Sequence, residues 1–335
     1  MDDMEDTQDR KRPRVDYDNA EETKPFVNHP SLYFDDGNLI LQCKDAHSTT
    51  RTLFCVHRSL VAKHSSVFKD IFDAAYAREP QERFRGLAVV HLDEDDKDDL
   101  AGLLATIYDG YDVKIPAELT IETFPELAGL LRITTKYNLD RARALILARL
   151  RLEWPTTLAA HDIKRVAFAE KVRAQADDTI VHPAAVIALL RECGYTNMDL
   201  LAPLFYDLST RVWQLGPGVR GHHLAPLVHA EMERLVFGLN QVRCRHVALA
   251  QCPPTAGFHQ ACAVALIAEW KAFAVPVLLR RQNDMCEPVE DWGVLEATWG
   301  GRAEKAVCAR CDDLVRASIR EARRILWDSL ATSFS

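Results

Sequence analysis

Soft metal ligands crowd the last hundred residues of this 335-residue chain: Cys244, His246, Cys252, His259, Cys262, Cys286, Cys308 and Cys311. Cys308-Ala309-Arg310-Cys311 has the C-x2-C spacing that lets two thiolates approach one tetrahedral ion. One such knuckle supplies only half a site. Cys252 and Cys262 are the expected second pair, because the Pro253-Pro254 turn between them allows the chain to fold back. The set Cys252, Cys262, Cys308 and Cys311 would then hold a structural zinc. Their separation matches no recognised finger spacing, and the competing reading makes the cysteines small buried hydrophobes.

A second pair of reactive types, Cys55 and His57, lies two residues apart in an extended pattern, so both side chains would share one face. That pairing is the basis of a cysteine-hydrolase reading. It lacks an orienting partner, an oxyanion site and a protease-like context, and no catalytic residue is assigned. Gly216-Pro217-Gly218-Val219-Arg220-Gly221 lacks the Lys-Ser/Thr of a phosphate loop and reads as a linker.

The elements that must position these residues follow from composition. With 49 acidic against 41 basic side chains, the formal net charge is −8, which opposes general attraction to a nucleic-acid backbone. Nine cysteines in an odd set, without a basic, apolar leader in MDDMEDTQDR, argue for reduced thiols and an intracellular protein, nuclear or cytoplasmic. No apolar run reaches the ~20 residues that span a bilayer, so no membrane partner is expected. Residues 1–26 are rich in charge and poor in large apolar side chains, the composition of a disordered tail. Within it Arg10-Lys11-Arg12-Pro13-Arg14 is either a nuclear-import cluster or a solvated charge run.

From Val27 to Trp154 the pattern is mixed. Leu39 and Leu41, then Leu53, Cys55 and His57, alternate as in a hairpin, and Ser59 to Phe72 switches to helical spacing. Leu87 to Leu92 reads as a strand, and Asp93 to Asp96 suit the start of the helix carrying Leu100, Leu103, Leu104 and Ile107. A short strand is expected around Tyr111 to Ile115, a helix opened by Thr123 with Pro125 in its first turn, and another capped by Asp140 and ended by Pro155. Beyond Pro155 every element reads as helical: 162–176, 182–193, 198–215, 224–239, 262–273 and 311–332.

Several of these pieces resemble the BTB/POZ family over residues 29–154. They are Asp36 at the first strand, Phe54-Cys55-Val56-His57-Arg58-Ser59-Leu60, Ser65-Ser66-Val67-Phe68, Leu103 to Gly110, and Lys136-Tyr137-Asn138-Leu139. HPSLYFDDGNLIL, Trp154-Pro155-Thr156-Thr157-Leu158 and Cys308-x-x-Cys311 further resemble a group of such proteins numerous in mushroom-forming fungi. The resemblance implies a fold that joins proteins. It implies a homodimer face, to which Phe26, Val27, Leu32, Tyr33 and Phe34 would contribute unless they cover the domain's own core. It also implies a charged pocket from Asp36 and Arg58, serving either a peptide partner or the packing of hairpin on helix. Cullin-scaffold binding would use Ala77-x-Glu79, where alanine offers little surface to bury.

Together these readings describe an α+β BTB/POZ domain over 27–155, a small sheet covered by helices. It follows the tail and precedes an all-α domain over 156–335. The expected function is non-catalytic self-association and partner assembly, with a cullin-linked ubiquitin-ligase adaptor as the alternative and the hydrolase as a distant one.

Overall fold

The computed structural model of the protein describes residues 26–44, 50–77, 82–109, 115–173, 180–211, 226–279, 287–300 and 307–335. The tail with Arg10–Arg14, the Gly216–Gly218 break and most of the strand expected at Tyr111 to Ile115 lie outside them. By contacts, the chain divides into a smaller unit through Lys63 together with Phe68–Ala101, and a larger one of His64–Val67 and Gly102–Ser335.

The smaller unit is built on β1 (Phe26–Tyr33), β2 (Leu39–Lys44), β3 (Arg51–Val56), β4 (Arg83–Phe84) and β5 (Leu87–His91). They form one sheet in the order β1-β3-β2-β5-β4. The β2–β3 hairpin expected from sequence is antiparallel, with Leu41 opposite Phe54, and β5 joins β2 in parallel. Central strands buried on both faces explain why β2 is buried from Leu39 to Cys43. One face gathers Ile40, Leu53, Cys55 and Val89 beneath Tyr33, Phe84 and Leu87. Strand β1 departs from expectation. It runs parallel to β3 as an edge strand, and its largely exposed sequence, with a register shift between Asn28 and Tyr33, gives no period-two signal.

Helices α1 (Arg58–His64) and α2 (Ser66–Tyr76) follow the hairpin, with Val61, Phe68 and Phe72 buried. At α3 (Lys97–Tyr108) the acidic start acts as expected, with Asp96 Oδ1 accepting from the amides of Asp98 and Asp99 at 2.8 and 3.3 Å.

In the larger unit, α4 (Phe124–Lys136) ends where Asn138 takes φ +54°. Leu139 N donates to Thr134 O and Asn138 N to Thr135 O, the two bonds of a Schellman stop. Asp140 is therefore the first residue of α5 (Asp140–Glu153) and not its cap, a place held by Leu139. Trp154 is buried and donates to Asp207 Oδ2 at 2.8 Å, tying the end of α5 to α8 (Met198–Thr210). Between them lie α6 (Leu158–Arg173) and α7 (Pro183–Glu192). Helix α9 (His229–Gln251) runs well past the end expected at residue 239. The segment Gln260–Leu278 is one continuous helix: α10 (Gln260–Glu269), a π-turn at Trp270–Ala274 and α11 (Val275–Leu278). With a mean hydropathy of 1.7 it is apolar and long enough to cross a bilayer, although the sequence reading found no such run. It is followed by α12 (Pro288–Trp299), α13 (Ala309–Asp328) and α14 (Leu330–Ser333).

Trp270, Trp292 and Trp299 form the heart of this unit, their ring centroids 5.9–6.1 Å apart along the chain of contacts. Each indole N–H has an acceptor. Trp270 donates to Ala250 O at 2.7 Å, Trp292 to His246 Nδ1 at 3.2 Å and Trp299 to Asp312 Oδ1 at 3.0 Å. His246, 2 % exposed, is neutral in this arrangement: Nδ1 accepts from Trp292 while Nε2 faces Leu278 O at 2.8 Å. Asp291 lies 3.9 Å from Nε2. Burial lowers the His246 pKa below 6.5, outweighing the bond to Leu278. The unfolded chain would thus take up a proton near pH 6.5 that the folded chain refuses, so stability present above that pH is lost as the pH falls toward the folded value. Thermal unfolding from pH 8 to 5 should show this loss, and His246→Gln should flatten it. An unchanged slope in the variant would contradict the assignment.

Gly238 marks the closest approach of α9 to the chain end. A Cβ there would lie 2.1 Å from the ring of Phe334, which is itself fully buried and stacks on Phe205 at 5.6 Å. Gly238→Ala should cost about 1–3 kcal/mol in denaturant unfolding, despite the better helix propensity of alanine.

Candidate metal centre and expected contact residues

Helices α10 and α13 start in the same way. His259 is the N-cap of α10 and Cys308 the N-cap of α13. Cys262 and Cys311 follow three positions later, where a side chain lies over the cap residue of its own helix. The ligand atoms of His259, Cys262, Cys308 and Cys311 all lie within 4.8 Å of one another. Cys308 Sγ is 3.4 Å and Cys311 Sγ 3.7 Å from His259 Nδ1, and Cys308 N donates to Cys262 Sγ at 3.5 Å. Around a tetrahedral ion with bonds of about 2.3 Å to sulfur and 2.0 Å to nitrogen, sulfur and nitrogen sit about 3.5 Å apart. The four residues can therefore hold a metal ion.

Burial grades across the cluster: His259 and Cys308 are exposed, Cys262 is half-buried and Cys311 buried. The nearby backbone amide and thiol of Cys311 lower the Cys308 pKa to about 7, which favours a thiolate ligand. Asp312, next to Cys311, accepts from Trp299 and from Arg316 Nε at 2.7 Å, fixing the start of α13 in the tryptophan core.

This arrangement corrects the expected four-cysteine set. Cys262, Cys308 and Cys311 belong to the cluster, but Cys252 does not; it is the exposed C-cap of α9. After Cys252 the chain passes Pro253 and Pro254 and turns at Gly257, φ +79°. The residue delivered to the start of α10 is His259. Its signal was present in the sequence, since His259-x2-Cys262 repeats the spacing of Cys308-x2-Cys311. Cys43, Cys55 and Cys193 are buried thiols, Cys244 is exposed, and Cys286 lies outside the described residues.

Asp36 and Arg58 do not pair with each other. Asp36, in the turn before β2 with its side chain 85 % exposed, lies 3.3 Å from His57 Nε2. Arg58 opens α1 and reaches along to α2, bonding Asp73 Oδ1 at 2.5 Å with its guanidinium 4.2 Å from the Tyr76 ring. The expected apolar contact residues divide between both readings. Leu32 is buried and Tyr33 packs on the sheet cluster, whereas Phe26 and Val27 are 43 % and 53 % exposed. Phe26 touches Phe84, with centroids 5.7 Å apart, and Phe34 meets His57 at 5.5 Å. Ala77 is exposed after α2; Glu79 lies outside the described residues.

Cys55 is buried, and burial reinforced by Asp36 and Asp35 raises its pKa, the opposite of what a nucleophile needs. His57 is engaged by Asp36 and by the ring of Phe34. A cleft of about 110 Å³ is lined by Trp154, Lys164, Arg165, Phe168, Asp207 and Arg211 among others. Its cations are paired, Lys164 with Glu153, Arg165 with Glu287 and Arg211 with Asp207.

The described residues thus define a mixed α+β chain, a small five-stranded sheet with many helices, carrying a His/Cys cluster competent to bind metal. Comparison with protein-family models, with curated proteins and with solved structures finds no significant match in any of the three.

Thiol reactivity separates the roles of the cysteines. Brief alkylation of the native protein at neutral pH should spare Cys43, whose pKa burial and neighbouring acids push up to about 12, and should spare Cys55 as well. In metal-free protein Cys308 should react first. Preferential labelling of Cys55 would favour the hydrolase reading instead.

Proposed function

We propose that this chain is a non-catalytic protein-interaction module of the BTB/POZ type that self-associates through its sheet-bearing half. The observation that carries the reading is β1. It is an eight-residue edge strand whose outer side pairs with no described strand, and Phe26 and Val27 stand exposed on it. The amides of Ser31 and Leu32 are taken by His29 Nδ1, so the Phe26–Asn28 end is the part that could pair with another chain, its apolar side chains adding burial to the backbone bonds. The ordered sequence resemblances, from Asp36 to Lys136-Tyr137-Asn138-Leu139, support the same reading. In this account the self-association brings two helical halves together, and each half is held by a structural zinc at His259, Cys262, Cys308 and Cys311. Among the described residues the cullin-scaffold alternative has only Ala77, which presents a single methyl group.

Light scattering of the full chain at tens of micromolar should give twice the 37.8 kDa chain mass. Replacing Phe26 and Val27 together by Asp and Lys should shift it to monomer. A monomeric parent would contradict self-association, and a dimer untouched by the double substitution would move it away from β1.

A further inference from the structure

We infer that the His259–Cys262–Cys308–Cys311 cluster takes zinc as a clamp that docks the start of α10 onto the start of α13, a fastening that α10 otherwise lacks. This rests on the structural-zinc reading above and adds what the ion holds in place. The two helices are anchored very differently. Along α13 a buried stripe runs through Cys311, Val315, Ile319, Ala322 and Leu326. The helix Gln260–Leu278 has a narrower stripe, Leu266, Trp270, Ala274 and Leu278, one residue per turn. It begins only at Leu266. From Gln260 to Ala265 no side chain is buried, and Val264 is 68 % exposed.

The first turn and a half of α10 therefore gains little from apolar burial. What it has is the imidazole of His259 and the thiol of Cys262, facing Cys308 and Cys311. Without an ion, a few hydrogen bonds of this kind contribute little. With a divalent ion they become four coordinate bonds linking two helix ends far apart in sequence. Three thiolates and one imidazole in tetrahedral reach select a soft, thiophilic cation such as zinc over calcium or magnesium. The ion neutralises two of the three thiolate charges. The remaining negative charge sits at two helix N-termini, whose dipoles favour it. Because Asp312 and the tryptophan core fix α13 independently, the ion's mechanical effect falls on α10. Removing it frees the helix as far as about Ala265 and leaves the stripe from Leu266 onward in place.

The test combines metal analysis with hydrogen exchange on the purified full chain. The expected result is about one zinc per chain. After chelation, exchange should rise in peptides covering 257–265, stay unchanged over 270–278 and 311–327, and recover when zinc is restored. His259→Ala and Cys308→Ser should each lose the zinc and reproduce the chelated pattern, while Cys252→Ser should keep both metal and protection. Absence of zinc would overturn the metal reading and the clamp together. Bound zinc whose removal leaves 257–265 protected, or unfolds the whole helical unit, would overturn the clamp and leave the metal reading intact.

Discussion

Three indole N–H groups buried in one core each require an acceptor, and the geometry of the larger unit follows from meeting that requirement. Trp270 reaches the last turn of α9, Trp292 reaches His246 within it, and Trp299 reaches Asp312 in the first turn of α13. These three bonds tie together α9, the helix Gln260–Leu278, α12 and α13. The last of them has a consequence for chemistry. By holding Asp312 it holds Cys311, the one buried member of the His/Cys cluster, and so sets the fixed wall against which the other ligands assemble.

The smaller unit obeys a different constraint. Its central strands are buried on both faces, so the β2–β3 register leaves no room for a slip, and functional freedom moves outward to the edge. There the side chains of β1 are exposed along most of its length, with only Leu32 buried. Such a strand is specified by its pairing partner β3 more than by its own side chains. The same openness makes it the natural place for another chain to add. Rigid middle and available edge are thus two results of one sheet order.

Much of this was legible in the sequence. The hairpin, the LAVVHL strand, the Asp96 cap and the helical character after Pro155 all follow from period and capping chemistry. The hidden parts have physical reasons. Strand β1 itself carries no alternation, which concealed it. The second half of α9 buries a stripe only one residue wide, Val242, His246 and Ala250, and a histidine within it reads as polar. In α12 the apolar positions Val289, Trp292, Leu295 and Trp299 have helical spacing, but Gly293 interrupts the propensity. Asp36 and Arg58 instead take separate partners, His57 across the start of the hairpin for one and Asp73 on α2 for the other. Half of the metal set, Cys308 and Cys311, was readable from spacing alone. The Pro253-Pro254 turn pointed to Cys252, but that turn delivers His259 to the start of α10, and the equal H-x2-C and C-x2-C intervals at two helix starts carried the stronger information.

The ligand set is the point on which the account of the helical half turns. X-ray absorption at the zinc edge of the purified full chain tests it most directly. The expected first shell is three sulfurs at about 2.3 Å and one imidazole nitrogen at about 2.0 Å. A shell of four sulfurs would restore a cysteine in place of His259, and a shell of oxygen and nitrogen alone would contradict the site.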